Sequence, residues 1–118
     1  MTKKKSKYKE IWYVNVHIKA KKGYEFNDLI DFEGEESSIV YKAAWANLLI
    51  RAISLHEVLE LIPQGLAEKN FEVIFIDKIE NMSTLIEFDE IEDFVIKEVD
   101  WLIQSPYKFM ISDKIFPY

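Results

Sequence analysis

The first regular stretch of the chain is IWYVNVHIKA, residues 11–20. Trp12, Val14, Val16, Ile18 and Ala20 share one parity there, and Tyr13, Asn15, His17 and Lys19 the other. A period of two belongs to a strand with one face buried and one face more polar. Lys21, Lys22 and Gly23 close it. Residues 24–43 follow with six acidic residues and no basic one between Glu25 and Glu36, the pattern of a long surface connection.

Residues 40–62 admit two readings. Ala43, Ala44, Ala46, Leu48 and Leu49 are good helix formers, and no Gly or Pro interrupts them, so one long helix is feasible. Its apolar positions would wrap the whole circumference, however. From Leu48 to Ile53 only Arg51 is polar, which gives no helical stripe and suits a strand covered on both faces. Ser54 with Glu57 forms a capping box, and Leu55, Val58, Leu59 and Ile62 beyond it fall on one helical face. The pattern therefore predicts a strand over about 45–53 and a helix from 55.

Pro63 and Gly65 are expected to interrupt that helix before Asn70. FEVIFIDKI then sets Phe71, Val73 and Phe75 on one face and Ile74 and Ile76 on the other, which places this strand centrally in a sheet. ENMST reads as a turn. Asp89 opens a second helix with Ile91, Phe94, Val95, Val99, Leu102 and Ile103 at helical spacings, ended by Ser105 and Pro106. YKFMIS alternates as a last strand, and Pro117 is expected to stop further pairing. The fold class is α+β: a four-stranded mixed sheet in the chain order β-β-α-β-α-β, with two helices packed on one face. The strands flanking the first full helix should be parallel neighbours or be separated by another strand. Strands apolar on both sides need cover for the second face, from the 24–43 connection or from a second subunit, so a homodimer is one expected assembly.

IWYVNVHIKA, WANLLIRAISLHEV and FEVIFIDKI resemble, in order and spacing, small uncharacterised bacterial proteins grouped as domain of unknown function 4288. Trp12 and Tyr13, Arg51 with Ala52 and Ser54, and Phe71 to Asp77 are the matching positions, within residues 11–79. The resemblance supports the strand reading of 45–53. It implies no activity, and the acidic connection and residues 89–118 depart from the pattern.

With 118 residues, 49% of them apolar, the chain suits one packed domain over 11–118 preceded by a basic, poorly ordered tail at 1–10. No cysteine is present, which removes disulfides, thiol nucleophiles and thiolate metal sites and fits a reducing cytoplasm. No stretch approaches the ~20 apolar residues of a membrane span. Five lysines against Glu10 give the first ten residues +4, so the remainder of a chain with net charge −6 sums to −10. An acidic body repels phosphates and disfavours nucleic acid as a partner.

Candidate chemistry is sparse. His17 and His56 are the only histidines, no Gly-x-Ser-x-Gly elbow occurs, and Gly23, Gly34 and Gly65 form no phosphate loop, so neither catalytic residues nor cofactors are expected. Glu87, Asp89, Glu90, Glu92 and Asp93 lack the spacing of a calcium loop and suit a helix N-terminus, so no metal is expected. Asp28, Asp31, Glu33, Glu35 and Glu36 have no such local explanation, and a cationic protein would relieve their repulsion. The leading expectation is a non-catalytic interaction protein with an acidic surface, in one version an immunity-type protein neutralising a basic toxin. The alternative is a small-ligand sensor or enzyme on the polar sheet face around Tyr13, Asn15, His17 and Arg51.

Overall fold

The computed structural model describes residues 7–30 and 40–118. Among them run β1 (Ile11–Ala20), α1 (Phe26–Leu29), β2 (Ala43–Arg51), α2 (Leu55–Glu68), β3 (Phe71–Asn81), α3 (Met82–Glu87), α4 (Asp93–Gln104), β4 (Phe109–Ile111) and β5 (Phe116–Pro117). The class is α+β, but the sheet is five-stranded and antiparallel at every pair, not four-stranded and mixed. Its order is β3-β1-β2, with β4 and β5 placed one after the other along the outer edge of β2. β2 and β3 run in the same direction with β1 between them, the second of the two arrangements open to this crossover.

Ser54 marks the change from strand to helix. Its Oγ accepts from the Glu57 N–H at 3.2 Å, and the Glu57 carboxylate accepts from the Ile53 N–H at 2.8 Å. The return bond thus reaches the residue before the cap, and it holds the Glu57 carboxyl below its ordinary range. α2 then continues through Pro63 and Gly65 without a break, contrary to the expected interruption. Burial of Val58, Ile62, Gly65 and Leu66 against the sheet outweighs the roughly 3 kcal/mol an internal proline costs a helix. Asn70, with φ of 69°, supplies the left-handed residue that ends it.

β3 is an edge strand, not a central one. Two bulges shift its register against β1, so Phe71, Val73, Ile76 and Ile79 face one core while Phe75 turns to the other side. An alternating count cannot show this, because each extra residue reverses the parity after it. The segment expected as a turn after β3 is α3, which closes at Asp89 with φ of 53°; the last helix accordingly starts at Asp93 rather than Asp89. Pro117 does not end the pairing either. Tyr118 donates its N–H to Ala43 O at 2.9 Å, and the alternation of antiparallel bonds points Pro117, which has no N–H, away from β2.

The helices lie on opposite faces rather than on one. α2 packs with Val14, Val16, Ile18, Ala44, Ala46, Leu48 and Ile50 in the first core. α3 and α4 pack with Ile11 and Leu49 in the second, which is the cover that the doubly apolar strands required. Tyr8 is buried in this second core and its hydroxyl donates to Asp100 at 2.7 Å, so Lys7 to Glu10 belong to the folded body and not to a tail. Residues 1–6 lie outside the described residues.

A Cβ on Gly65 would stand 2.4 Å from the Phe109 ring, where α2 crosses β4. Gly65→Ala should therefore lower stability by about 1–2 kcal/mol in urea unfolding, since overpacking of about 1–3 kcal/mol exceeds the gain of up to ~1 kcal/mol in helix propensity. An unchanged or raised midpoint would contradict the close approach.

Candidate functional site

The second face of the sheet is longer than its cover. α4 has 12 residues, roughly 18 Å of helix. β1 has 10 residues, roughly 33 Å of strand. The helical layer lies over the end that carries Ile11, Tyr13, Leu49 and Met110, and among the described residues the other end has no helix above it.

Three contacts fix that placement. Arg51 reaches from β2 to the C-terminus of α4, where one guanidinium nitrogen donates to Leu102 O and Ile103 O at 3.4 and 3.0 Å. The other donates to Ser105 O and Tyr107 O at 3.1 and 2.7 Å. A cation among carbonyls at the negative end of a helix is favourable twice, by hydrogen bonding and by the macrodipole. Glu98 of α4 accepts from the Ser112 hydroxyl at 2.7 Å and the Asp113 N–H at 3.0 Å, which ties the helix to the loop between β4 and β5. Tyr8 with Asp100 is the third.

The uncovered end carries a line of aromatic rings. His17 pairs with Phe75 of β3 on one side and Trp45 of β2 on the other, and Trp45 pairs with Phe116 of β5. Phe75, His17, Trp45 and Phe116 therefore stand abreast across four strands on one face. The His17 ring lies 3.5 Å from that of Trp45, in a T-shaped contact, and 4.7 Å from Phe75. Tyr118 stands 5.1 Å from it and bonds His17 Nδ1 through its hydroxyl at 3.0 Å. His17 Nε2 is buried with no hydrogen-bond partner among the described residues. Trp45, Phe75, Phe116 and Tyr118 remain 39–50% exposed. At roughly 100 Å² for each half-covered ring, the row offers about 400 Å² of apolar surface, comparable to the largest apolar patch on an ordinary monomer.

The expected polar site is divided by this geometry. Asn15 and His17 stand in or beside the aromatic row, with the Asn15 amide bonded to Asn47 across the strands. Tyr13 sits at the edge of the second core, and burial followed by the carboxylates of Glu92, Glu98 and Glu80 pushes its phenol above the ordinary value. Arg51 lies at the far end with both terminal nitrogens engaged by carbonyls, so an anionic ligand would have to displace them. Of the acidic group, Asp28 is exposed on α1, while Asp31, Glu33, Glu35 and Glu36 lie outside the described residues. His56 is exposed and pairs with Glu60 one turn on, at 2.8 Å. An open groove of about 830 Å³ runs along the β4–β5 edge between Leu29 and Trp101, away from His17.

Among the described residues no group of His, Asp or Glu could hold a metal ion, and no helix is long and apolar enough to cross a membrane. No family model, curated protein or solved structure gives a significant match to the chain. Trp45, Phe75, Phe116 and Tyr118 are the site residues that sequence reasoning missed, Phe75 because the β3 bulges reverse its parity. Membership of the other three depends on β2 being read as a strand with Trp45 on the polar parity, and on pairing that continues past Pro117.

Arg51→Met should cost roughly 2–3 kcal/mol of unfolding free energy, because charge-assisted bonds to partly buried carbonyls vanish together. Arg51→Lys should recover only part, lacking the planar fork; a loss below about 0.5 kcal/mol for Arg51→Met, the range of ordinary surface changes, would contradict the clamp. The phenols of Tyr8 and Tyr13 both lie above their ordinary value of 10.0, chiefly through burial. A raised folded value means stability that is full below pH 10 and is lost as pH rises through the shifted range. Unfolding midpoints should fall above pH 10, and the fall should flatten in Tyr13→Phe.

Proposed function

We propose that this chain is a non-catalytic interaction protein that uses the uncovered aromatic row as an association surface and whose acidic charge, independently of the row, attracts a basic protein. The row carries the reading. Large half-exposed rings at the centre of a rigid sheet are what association hot spots are made of, because little side-chain freedom is lost when they are covered. Charge adds selectivity: a chain of net −6 attracts basic partners at a rate that falls with salt. An immunity-type role, in which the acidic surface neutralises a basic toxin, is the specific form this reading takes.

A sensor or enzyme on the same face is the weaker reading. It calls on Arg51 to receive an anion, and Arg51 is already bonded to the end of α4.

The test uses a basic protein encoded beside this chain. Replacing Asp28, Asp31, Glu33, Glu35 and Glu36 by their amides should slow association at low salt by about tenfold or more and leave dissociation little changed. Trp45→Ala, on the aromatic row, should leave that charge-directed association rate little changed. Equal association rates for the amide variant and the native chain would remove the charge-directed reading.

A further inference from the structure

We propose that the surface covering the aromatic row is a second copy of this chain, in a symmetric dimer whose two-fold axis runs along the row, across the strands. The inference rests on the reading of the row as an association surface and names its occupant.

The charges flanking the row are self-complementary. On β3, Glu72 lies on the Lys19 side of Phe75 and Lys78 lies on the Asn15 side, and both share the face of Phe75. A half-turn about the row, with the axis lying between two facing sheets, exchanges the two flanks and keeps the order of the strands. Glu72 of each copy then meets Lys78 of the other, twice per dimer, while Phe75 and Trp45 meet their own counterparts, as a symmetric interface requires. Glu72 and Lys78 side chains are 49% and 58% exposed, and their present partners Lys19 and Glu80 are surface ion pairs at 3.3 Å. Exchanging such pairs costs little.

The same rim disfavours a basic protein at this spot. Lys19 and Lys78 border the row, and Lys114 lies over the Phe116 ring at 5.9 Å. A basic partner would meet three ammonium groups there. In a chain of net −6 this is the face where a like copy finds charges of both signs.

The area is also sufficient. Four rings at roughly 100 Å² each give about 800 Å² over two copies, and the rim of Asn15, Lys19, Glu72 and Lys78 carries the total past the ~1,000 Å² that separates a specific interface from a chance contact. An interface of that size is weak to moderate.

Sedimentation equilibrium of the full chain tests the proposal, with circular dichroism as the check on folding. The native chain should dimerise with a micromolar constant. Lys78→Glu and Glu72→Lys, each facing like charge across the axis, should each weaken the dimer by about tenfold or more. The double variant Glu72→Lys/Lys78→Glu restores opposite charges and should return to within about threefold of the native constant. A native chain that stays monomeric up to about 1 mM, or a double variant as weak as the singles, overturns the proposal. If the monomer still binds a basic protein and Trp45→Ala weakens that binding, the occupant is a different protein and the association reading survives.

Discussion

Arg51 ties the end of the last helix to the second strand, and the place of that tie decides how much of the sheet is left bare. A guanidinium on the second face of β2 gathers four carbonyls at the C-terminus of α4. The helix is thereby anchored over one end of the face, together with Tyr8 and Glu98. A helix of about 18 Å cannot span a strand of about 33 Å, so among the described residues no helix covers the opposite end. What it carries is the aromatic row. The proposed association surface is thus a consequence of a length mismatch held in place by these three contacts.

The two cores explain why the arrangement holds together with a single sheet. Val14, Val16 and Ile18 with Ala44, Ala46 and Leu48 form an unbroken apolar face under α2. The second face carries Ile11 and Leu49 where α3 and α4 reach it, then Asn15 and Asn47, and beyond them the aromatic row around His17. The side chains change character where the cover stops. Both edges of the sheet are made poor templates for further strands: β3 carries two bulges, and the opposite edge is cut into β4 and β5 with Pro117 facing outward. Pairing of further strands along an edge is thereby disfavoured.

Local signals were legible in the sequence and signals made by distant pairing were not. Ser54 with Glu57 is complete within four residues, and it separated strand from helix correctly. The parity of β1 likewise placed Asn15 and His17 together on the polar face. The strand at 71–81 was misread as central because bulges at Ile74 and Asp77 break the alternation, and nothing in FEVIFIDKI announces them. Arg51 looked like a ligand-binding cation because its partners lie about fifty residues away, on a helix whose packing face no local pattern reveals. Trp45 and Tyr118 joined His17 only through β2 pairing on both of its edges. The helices on opposite faces follow from the same cause: periodicity shows that a helix has an apolar side, not which side of a sheet it meets.

The placement of α2 and α4 on opposite faces is the claim on which the bare half-face depends, and a distance between them tests it most directly. The chain has no cysteine, so spin labels at Glu60→Cys and Lys97→Cys, both exposed, would be the only ones present. With layers about 10 Å apart on either side of the sheet, a pulsed dipolar measurement should give a separation beyond roughly 30 Å. A distance under roughly 20 Å would put both helices on one face and remove the row's exposure along with it.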